Sequence, residues 1–263
     1  MATTWRLLRH DSATGAWNMA VDEAVARAVG AGRVPPTLRF YDWSRPTISL
    51  GYLQSIRILD APGCRRFGLD SVRRPTGGRA ILHHHEVTWS LALPLGGGWG
   101  RLSVPERFRQ VAGGLVQGLG QLGVEASVAE AAAGRSSGNP AAACFRLRGM
   151  PAILSRGRKL AGAAERRWER ALLQHGSVLL DFDAALHAAV FPEWAGAEHE
   201  VSWLAQLLAP CPTRAEIVDA LAAGLAARAG VRLEPGVLTT TEAEDAAGLV
   251  ETRYGSPAWT GAR

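Results

Sequence analysis

Lysine is almost missing from this chain of 263 residues. Of its 29 lysine and arginine residues, Lys159 is the single lysine and the other 28 are arginines. Arginine keeps its charge and cannot lose its proton, whereas lysine carries a compact ammonium that can. A lone lysine is therefore expected where arginine cannot replace it, which makes Lys159 a candidate for a buried or catalytic amine. One surface lysine left by chance would give the same composition.

Cysteine is also scarce. The three cysteines, Cys64, Cys144 and Cys211, lie far apart, and no two of them form a CxxC pair. An odd number without close spacing suggests neither a disulfide framework nor a zinc knuckle. The chain is therefore expected in a reducing compartment, the cytoplasm.

Long apolar runs are absent as well. No stretch approaches the roughly 20 apolar residues that span a bilayer, and the N-terminal residues lack the basic and apolar regions of a signal peptide. The net charge is +5, but the basic residues occur in scattered pairs such as Arg65 and Arg66. We expect no membrane and no nucleic acid as partner; a basic surface without a dense tract fits an acidic protein better.

Hydrophobic periodicity predicts an α+β fold. Apolar residues recur at helical spacing over 14–30 and 104–122, and Thr213 with Glu216 predicts a capping box for a helix over 214–229, before a last helix over 240–253. Strand-like segments separated by turn residues lie at 37–41, 47–50, 71–74, 80–83, 87–93, 124–128, 151–155, 159–164 and 177–180. This order predicts a largely antiparallel sheet flanked by helices, with a helical C-terminal part.

One segment is of low complexity. The stretch from Ala129 to Ala143 consists mainly of alanine, glycine and serine, and it is expected to form a mobile loop. Cys144 follows it and precedes Phe145. A lone cysteine beside phenylalanine is usually a small buried hydrophobe, which is the default interpretation of Cys144 from its neighbours alone.

A glycine pair separates two predicted strands. Gly77 and Gly78 allow the backbone to approach a ligand closely, and their N–H groups can converge on an anion or a polarised carbonyl oxygen. Arg73, Arg74 and Arg79 add positive charge on both sides of the pair. Taken alone, a tight turn with solvated arginines explains the segment better.

Histidines and the lone lysine mark further segments. Lys159 stands between Gly157 and Gly162 on a predicted strand, and His175 precedes another strand as a candidate core histidine. In a strand, His83 and His85 would share one face while His84 points away. Two histidines without a clear third ligand make a weak metal site, so no metal ion is expected.

Together, these segments resemble the lipoate-protein ligase and octanoyltransferase family. Matches at 18–23, 49–54 and 254–259 extend the resemblance over nearly the whole chain. The ordered motifs that carry it are RRxTGGRAxLH from Arg73 to His83, Ala-Cys-Phe around Cys144, GRKxAGxAxRR from Gly157 to Arg167 and LQHGSxLL from Leu173 to Leu180. The resemblance implies a biotin/lipoate ligase-like catalytic domain over 1–212, on which a helical extension over 213–263 packs.

Within the family, the chain most resembles the cysteine-dependent octanoyltransferases. Arg79 follows the glycine pair where ATP-dependent ligases usually carry a third glycine, and Cys144 stands where the octanoyltransferases carry their nucleophile. The resemblance implies that Cys144 accepts an octanoyl group from octanoyl-acyl carrier protein, with Lys159 as its catalytic partner and without a cofactor. The acceptor would be a lysine of the glycine cleavage H protein or another lipoyl domain. Substrate binding is assigned to Arg73, Arg74, Thr76, Gly77, Gly78, Arg79, His83, Gly162 and His175.

Some positions depart from the family's pattern, and other activities stay open. His84 stands where an aspartate is common, Ala163 where a serine is frequent and Glu165 where a glutamine is frequent. An ATP-dependent lipoate ligase would share the fold and Lys159, but would need ATP and magnesium and would not need Cys144. A biotin ligase fits the glycine-pair segment less well. A non-catalytic protein that binds acyl groups or lipoyl domains is a further alternative, and a nucleic-acid binder is the weakest.

Overall fold

A large mixed sheet forms the centre of the computed structural model, which describes residues 3–129, 152–191 and 197–262. The strands of this sheet are β1 (Thr3–Ala13), β2 (Thr37–Trp43), β6 (Glu86–Pro94), β7 (Ser127–Ala129), β8 (Ala152–Ser155), β9 (Arg158–Arg167), β10 (Ala171–Leu179) and β11 (Val231–Pro235). They follow the order β11-β1-β2-β6-β10-β9-β8-β7. β1 pairs in parallel with β2 and with β11, and the remaining pairs are antiparallel.

A smaller sheet lies beside the large one. It consists of β3 (Thr47–Leu50) between β4 (Asp70–Arg73) and β5 (Ile81–His83). β3 runs parallel to β4 and antiparallel to β5. This arrangement brings the end of β4, the glycine pair that follows it and the end of β5 close to β3.

Helices cover both faces of the large sheet. They are α1 (Gly15–Gly30), α2 (Ala61–Arg66), α3 (Val104–Gln121), α4 (Ala184–Val190), α5 (Leu204–Leu207), α6 (Arg214–Ala229), α7 (Thr240–Leu249) and α8 (Pro257–Thr260). α3 and α6 pack on one face over a core that includes Leu115 and Leu221, and α1 and α7 cover the other over Val21 and Leu249. None of the helices in these residues is both long and apolar enough to cross a membrane.

The alternation of side chains along β10 decides which residues face which layer. Leu172 and Val178 belong to the core under α3 and α6, whereas Leu173 belongs to the core under α1. Because successive strand residues point to opposite faces, His175 shares the α1 face with Leu173. The strand thereby directs one polar side chain toward a helix that is apolar over most of its length.

The predicted helices are found at their expected places. α1, α3 and α6 match within one residue, and the segment 240–253 forms α7 followed by a single π-helical turn, Val250–Tyr254. Thr213 and Glu216 form the predicted capping box. The sheet is antiparallel from β2 to β7 as predicted, and its other edge is parallel.

Two strands were not predicted from the sequence. β1 has the burial pattern of a strand covered on both faces at residues 5–8, so period-two alternation is missing there. β11 lies in the C-terminal segment and pairs with β1, so this segment is not helical throughout. The boundary at residue 212 stays a prediction, as does the mobile loop over 129–143, which together with Cys144 falls outside the described residues apart from Ala129.

Candidate functional site

A cleft lies where the small sheet meets β9 and β10. Its free volume is about 20 Å³, about what one water molecule needs. Its lining combines apolar side chains with a few polar ones: Met19, Tyr41, Trp43, Ser49, Arg74, Ile81, His83, Thr88, Ala163, Ala164, His175, Gly176 and Ser177. Both histidines that the sequence analysis assigned to substrate binding therefore lie in one cleft.

Lys159 lies next to this cleft on β9. The pairing with β8 changes register between Leu154 and Ile153, which leaves Leu160 without a partner and bends the strand at this point. The N–H of Ser202 donates to the Lys159 carbonyl at 2.9 Å and fixes the main chain from the other side. The Lys159 side chain is 8% exposed, as expected for a functional amine rather than a solvated surface lysine.

The Lys159 ammonium lies over Gly162. A Cβ atom at position 162 would be 3.2 Å from Nζ and 3.1 Å from Cε of Lys159. Position 162 faces the same side of the sheet as Ala164, which lines the cleft. The absence of a side chain at Gly162 is therefore what lets the ammonium lie flat against the strand at the side of the cleft.

His175 is part of a buried hydrogen-bonded chain. Its Nδ1 atom lies 3.2 Å from Asp22 Oδ2 and its Nε2 atom 2.6 Å from Thr76 Oγ1. Burial lowers the pKa of His175 and outweighs the opposite effect of Asp22. The ring is therefore neutral, with Nδ1–H donating to Asp22 and Nε2 accepting from the Thr76 hydroxyl.

Asp22 is held as a carboxylate by several donors. Arg39 donates to Oδ1 at 2.7 Å, Ser90 to the same oxygen at 2.7 Å, and Tyr41 to Oδ2 at 3.1 Å. Burial raises the Asp22 pKa, but the hydrogen bond from His175 and the charge of Arg39 reverse this, so that the pKa lies below its ordinary value. A buried ion pair with this many donors fixes the position of the His175 ring.

His83 forms a second chain of the same kind. Nδ1 lies 2.5 Å from Glu86 Oε1, Nε2 lies 2.7 Å from Ser49 Oγ, and the ring stacks on Trp43 at 3.9 Å between centroids. Burial raises the pKa of Glu86, but the charge and hydrogen bond of His83 with the hydrogen bond of Thr88 lower it below its ordinary value. His83 is thus oriented by a carboxylate on one side and a hydroxyl on the other.

Arg74 joins the two histidine chains. Its Nε atom donates to Thr76 Oγ1 at 3.1 Å, and its Nη1 atom donates to Ser49 Oγ at 3.1 Å and to the Ser49 carbonyl at 2.8 Å. Nη2 donates to the carbonyls of Gly77 and Arg79 at 2.8 and 2.7 Å. Because arginine can only donate, the hydroxyls of Thr76 and Ser49 accept from it, and Arg74 also shapes the glycine turn.

Arg73 makes a different set of contacts. It is fully buried, and Nη1 donates to three carbonyls, those of Gly51, Tyr52 and Gln54. Nε and Nη2 donate to the carbonyls of Trp259 and Thr260 at 3.1 and 2.8 Å. Arg73 therefore joins the C-terminal segment to the turn after β3 through hydrogen bonds to backbone oxygens.

The glycine pair forms an edge of the site. Gly78 has a φ of +88°, in the left-handed region that favours glycine, and the Gly78 carbonyl lies against Gly51, where a Cβ atom would be only 1.9 Å away. Within the described part of the chain, no acceptor is bound by the N–H groups of Gly77 and Gly78. These two groups are available for an oxygen of a ligand.

The structure brings most of the predicted site residues together. Thr76, His83 and His175 join through Arg74, while Lys159 and Gly162 lie on the neighbouring strand. Arg79 is half-buried beside the glycine pair. The predicted strand through the histidines ends at His83; His84 and His85 form a turn with ring centroids 3.7 Å apart. No group of three or more potential metal ligands occurs among the described residues.

Sequence reasoning missed the partners of the two histidines. Asp22 and Ser49 stood inside segments that matched the family, and Glu86 follows the three histidines directly. The available signal was that Asp22 and Glu23 are two acidic residues on an otherwise apolar helix. Arg107, from α3, forms a buried ion pair with Glu165 at 2.7 Å. Glu165, which stands where a glutamine is frequent in the family, therefore has a partner of opposite charge.

The sequence and the fold were compared with known proteins. A sequence model described as the lipoyl protein ligase A/B catalytic domain matches residues 14–226. The octanoyltransferase LipM of Symbiobacterium thermophilum is 41% identical over 275 residues, with 98% of both chains covered. The protein of the same name from Kyrpidia tusciae is 42% identical over 271 residues, covering 97% of this chain and 98% of its own.

Solved structures share the fold. A lipoate-protein ligase A bound with ATP superposes with a TM-score of 0.82 at 23% identity, with 99% of both chains covered. A bi-partite lipoate protein ligase of Thermoplasma acidophilum, described with its E2 lipoyl domain, gives a TM-score of 0.82 at 22% identity and covers 98% of this chain and 96% of its own. At these identities the likeness establishes the architecture.

Proposed function

Because the chain belongs to the lipoyl protein ligase A/B catalytic domain family and is an octanoyltransferase of protein lipoylation, we propose which groups carry the transfer. The octanoyl group moves from acyl carrier protein to the thiol of Cys144, and from there to a lysine of the glycine cleavage H protein or another lipoyl domain. Lys159 assists both steps. The reaction belongs in the cytoplasm, as the unpaired cysteines predict.

One observation carries the proposal: the Lys159 ammonium lies over Gly162 at the side of a cleft that contains two oriented histidines. A buried cation next to a cleft stabilises negative charge more strongly than a solvated one. Such a charge develops on a thiolate and on the oxygen of a tetrahedral intermediate. The lone lysine of the chain is thus placed where its charge, and its ability to exchange a proton, are useful.

In the first step, the Cys144 thiolate attacks the carbonyl carbon of the carrier-bound thioester. The carbonyl oxygen becomes an oxyanion, for which Lys159 and the unbound N–H groups of Gly77 and Gly78 are donors of the kind that stabilise acyl transfer. Collapse of the intermediate expels the thiolate of the carrier, which takes a proton from Lys159, and leaves octanoyl-Cys144 beside a neutral Lys159 amine. One thioester replaces another, so no activation of the acyl group is required.

In the second step, the acceptor amine attacks octanoyl-Cys144. The amine loses a proton, which Lys159 in its neutral form can accept, and the Cys144 thiolate leaves. A thioester becomes an amide, which is downhill. The proposed reaction therefore requires neither ATP nor a metal ion.

The test is intact-protein mass spectrometry after incubation with octanoyl-acyl carrier protein without ATP. We expect one octanoyl adduct that hydroxylamine removes, and none on Cys144→Ala. Cys64→Ala and Cys211→Ala are matched controls, because burial raises the pKa of both thiols and makes them poorer nucleophiles. Acceptor modification that appears only with lipoate and ATP would instead identify a ligase.

A further inference from the structure

The turn after β3 presents a leucine to solvent. Leu53 is 70% exposed. Single exposed leucines are common on protein surfaces and need no explanation by themselves. The surroundings of Leu53 are what distinguish it.

The backbone on either side of Leu53 is fixed by buried hydrogen bonds. Arg73 Nη1 donates to the carbonyls of Gly51, Tyr52 and Gln54 at 2.9, 3.3 and 2.6 Å. The Gly51 N–H donates to Gln54 Oε1 at 2.9 Å, and the Tyr52 N–H donates to the Thr76 carbonyl at 2.8 Å. A rigid turn that displays an apolar side chain loses little entropy when a partner covers it, because the turn is already ordered.

The turn lies against the rim of the cleft. Gly51 contacts the Gly78 carbonyl so closely that a Cβ atom would clash with it. On the other side, the guanidinium of Arg166, from β9, lies 5.0 Å from the centre of the Tyr52 ring. Leu53 therefore stands next to the two segments that form the edge of the active site.

The segments next to Leu53 in the chain are mainly basic, and the first carboxylate that follows it is Asp60. The segments 51–59 and 73–83 contain no aspartate or glutamate, and Arg57 and Arg79 lie in them, with Arg166 beside Tyr52. An apolar side chain on a turn with Arg166 beside it at Tyr52 fits a protein surface on which an apolar patch is bordered by carboxylates.

We propose that Leu53 and the turn Gly51–Gln54 form the docking surface for the acyl-acceptor domain, a proposal that rests on the proposed function. The acceptor presents its amine on a lysine side chain of four methylenes. Its domain surface must therefore approach the rim of the cleft directly when the amine reaches the acyl group. Among the residues that the structure describes, Leu53 is apolar, exposed and rigidly held at this rim.

The experiment compares Leu53→Ser with Val237→Ser in two separate reactions. Val237 is 79% exposed and follows β11, at the opposite edge of the sheet from β7, so it controls for loss of an exposed apolar side chain. Octanoyl loading from acyl carrier protein is followed by mass spectrometry, and transfer to the apo glycine cleavage H protein is followed at varied acceptor concentration. For Leu53→Ser we expect a rise of about tenfold or more in the acceptor KM, with loading within about twofold of the native rate. Val237→Ser should leave both reactions unchanged.

A second acceptor separates docking from chemistry. Transfer to a short peptide that carries the acceptor lysine should be equally fast in native protein and Leu53→Ser, because the peptide lacks the domain surface. An unchanged KM for the H protein, or an equal loss with the peptide, would overturn the proposal, and slower loading would assign the surface to the acyl carrier. If native protein shows no loading at all, the proposed function itself is wrong; titration of the apo H protein with native and Leu53→Ser protein then still decides whether the turn binds it.

Discussion

The ammonium of Lys159 lies against the side of Gly162 on which a Cβ atom would stand, at the edge of the cleft. The distance of 3.2 Å from Nζ to a Cβ atom built at position 162 is shorter than an ordinary van der Waals contact. A side chain at position 162 would therefore displace the Lys159 ammonium by a few tenths of an ångström. This relationship links a glycine of the family motif to the placement of the catalytic amine.

Gly162→Ala is expected to lower octanoyl transfer severalfold, because the added methyl group displaces the Lys159 ammonium by a few tenths of an ångström, and a misplacement of about 1 Å can cost about 100-fold. Stability should change little, since the contacting atoms are the mobile end of a lysine. Single-turnover transfer and urea unfolding measure the two effects. Gly248→Ala is the control, because a methyl group there meets no atom within 4 Å. Full activity of Gly162→Ala would show that the lysine need not lie over position 162.

The Thr76 hydroxyl accepts a hydrogen bond from Arg74 and donates one to His175 Nε2. Thr76→Val removes the hydroxyl at nearly constant volume and leaves His175 Nε2 buried without a donor, which should cost about 1–3 kcal/mol of unfolding free energy. Thr76→Ser keeps the hydroxyl and is the matched control. Chemical unfolding of both variants checks the effect, and equal stability of Val and Ser would contradict the proposed chain.

Arg73 donates hydrogen bonds to five carbonyl groups from two parts of the chain. Arg73→Met leaves these buried oxygens without their donor and should cost about 3–5 kcal/mol, the range for removal of a buried charged partner. Trp259→Ala should cost less, because Arg73 keeps its bonds to the backbone of residues 51–54. Urea unfolding of both variants provides the comparison, and a larger loss for Trp259→Ala would make the indole, rather than Arg73, the main link.

His175 should make stability depend on pH. Its pKa is lowered in the folded protein, so as pH falls below about 6.5, the ordinary histidine value, the unfolded chain binds a proton that the folded chain does not. The unfolding free energy therefore decreases toward acid, by at most about 1.4 kcal/mol per pH unit for one histidine. His10, whose pKa is lowered to about 4, acts in the same direction, as do His84 and His187.

His175→Gln measures how much of the pH dependence of the unfolding free energy comes from this one histidine. We expect the variant to lose less unfolding free energy per pH unit between pH 6.5 and 5 than the native protein does, while being less stable at pH 7. Urea unfolding at pH 7, 6 and 5 measures this difference. Parallel pH dependences of the two proteins would mean that His175 titrates alike in the folded and unfolded states.

Local sequence patterns were enough to predict the long helices, most strands of the sheet and the segments that form the site. Each of these depends on local information: apolar residues at period 3.6 or 2, a threonine three residues before a glutamate, two glycines between strands. The lone lysine could be singled out from composition alone. The assignment of Cys144 came from the resemblance of its Ala-Cys-Phe segment to the octanoyltransferases, and it stays a prediction.

The tertiary structure alone decided what the site residues contact. His175 meets Asp22, 153 residues away, because β10 directs it toward α1, and no local pattern encodes that pairing. Arg73 and Arg74 look alike in the sequence, yet one holds the backbone of the C-terminal segment and the other orients two histidines. Hydrogen bonds inside a folded chain depend on which strands and helices are adjacent, and adjacency follows from the packing of the whole sheet rather than from the residues beside each arginine.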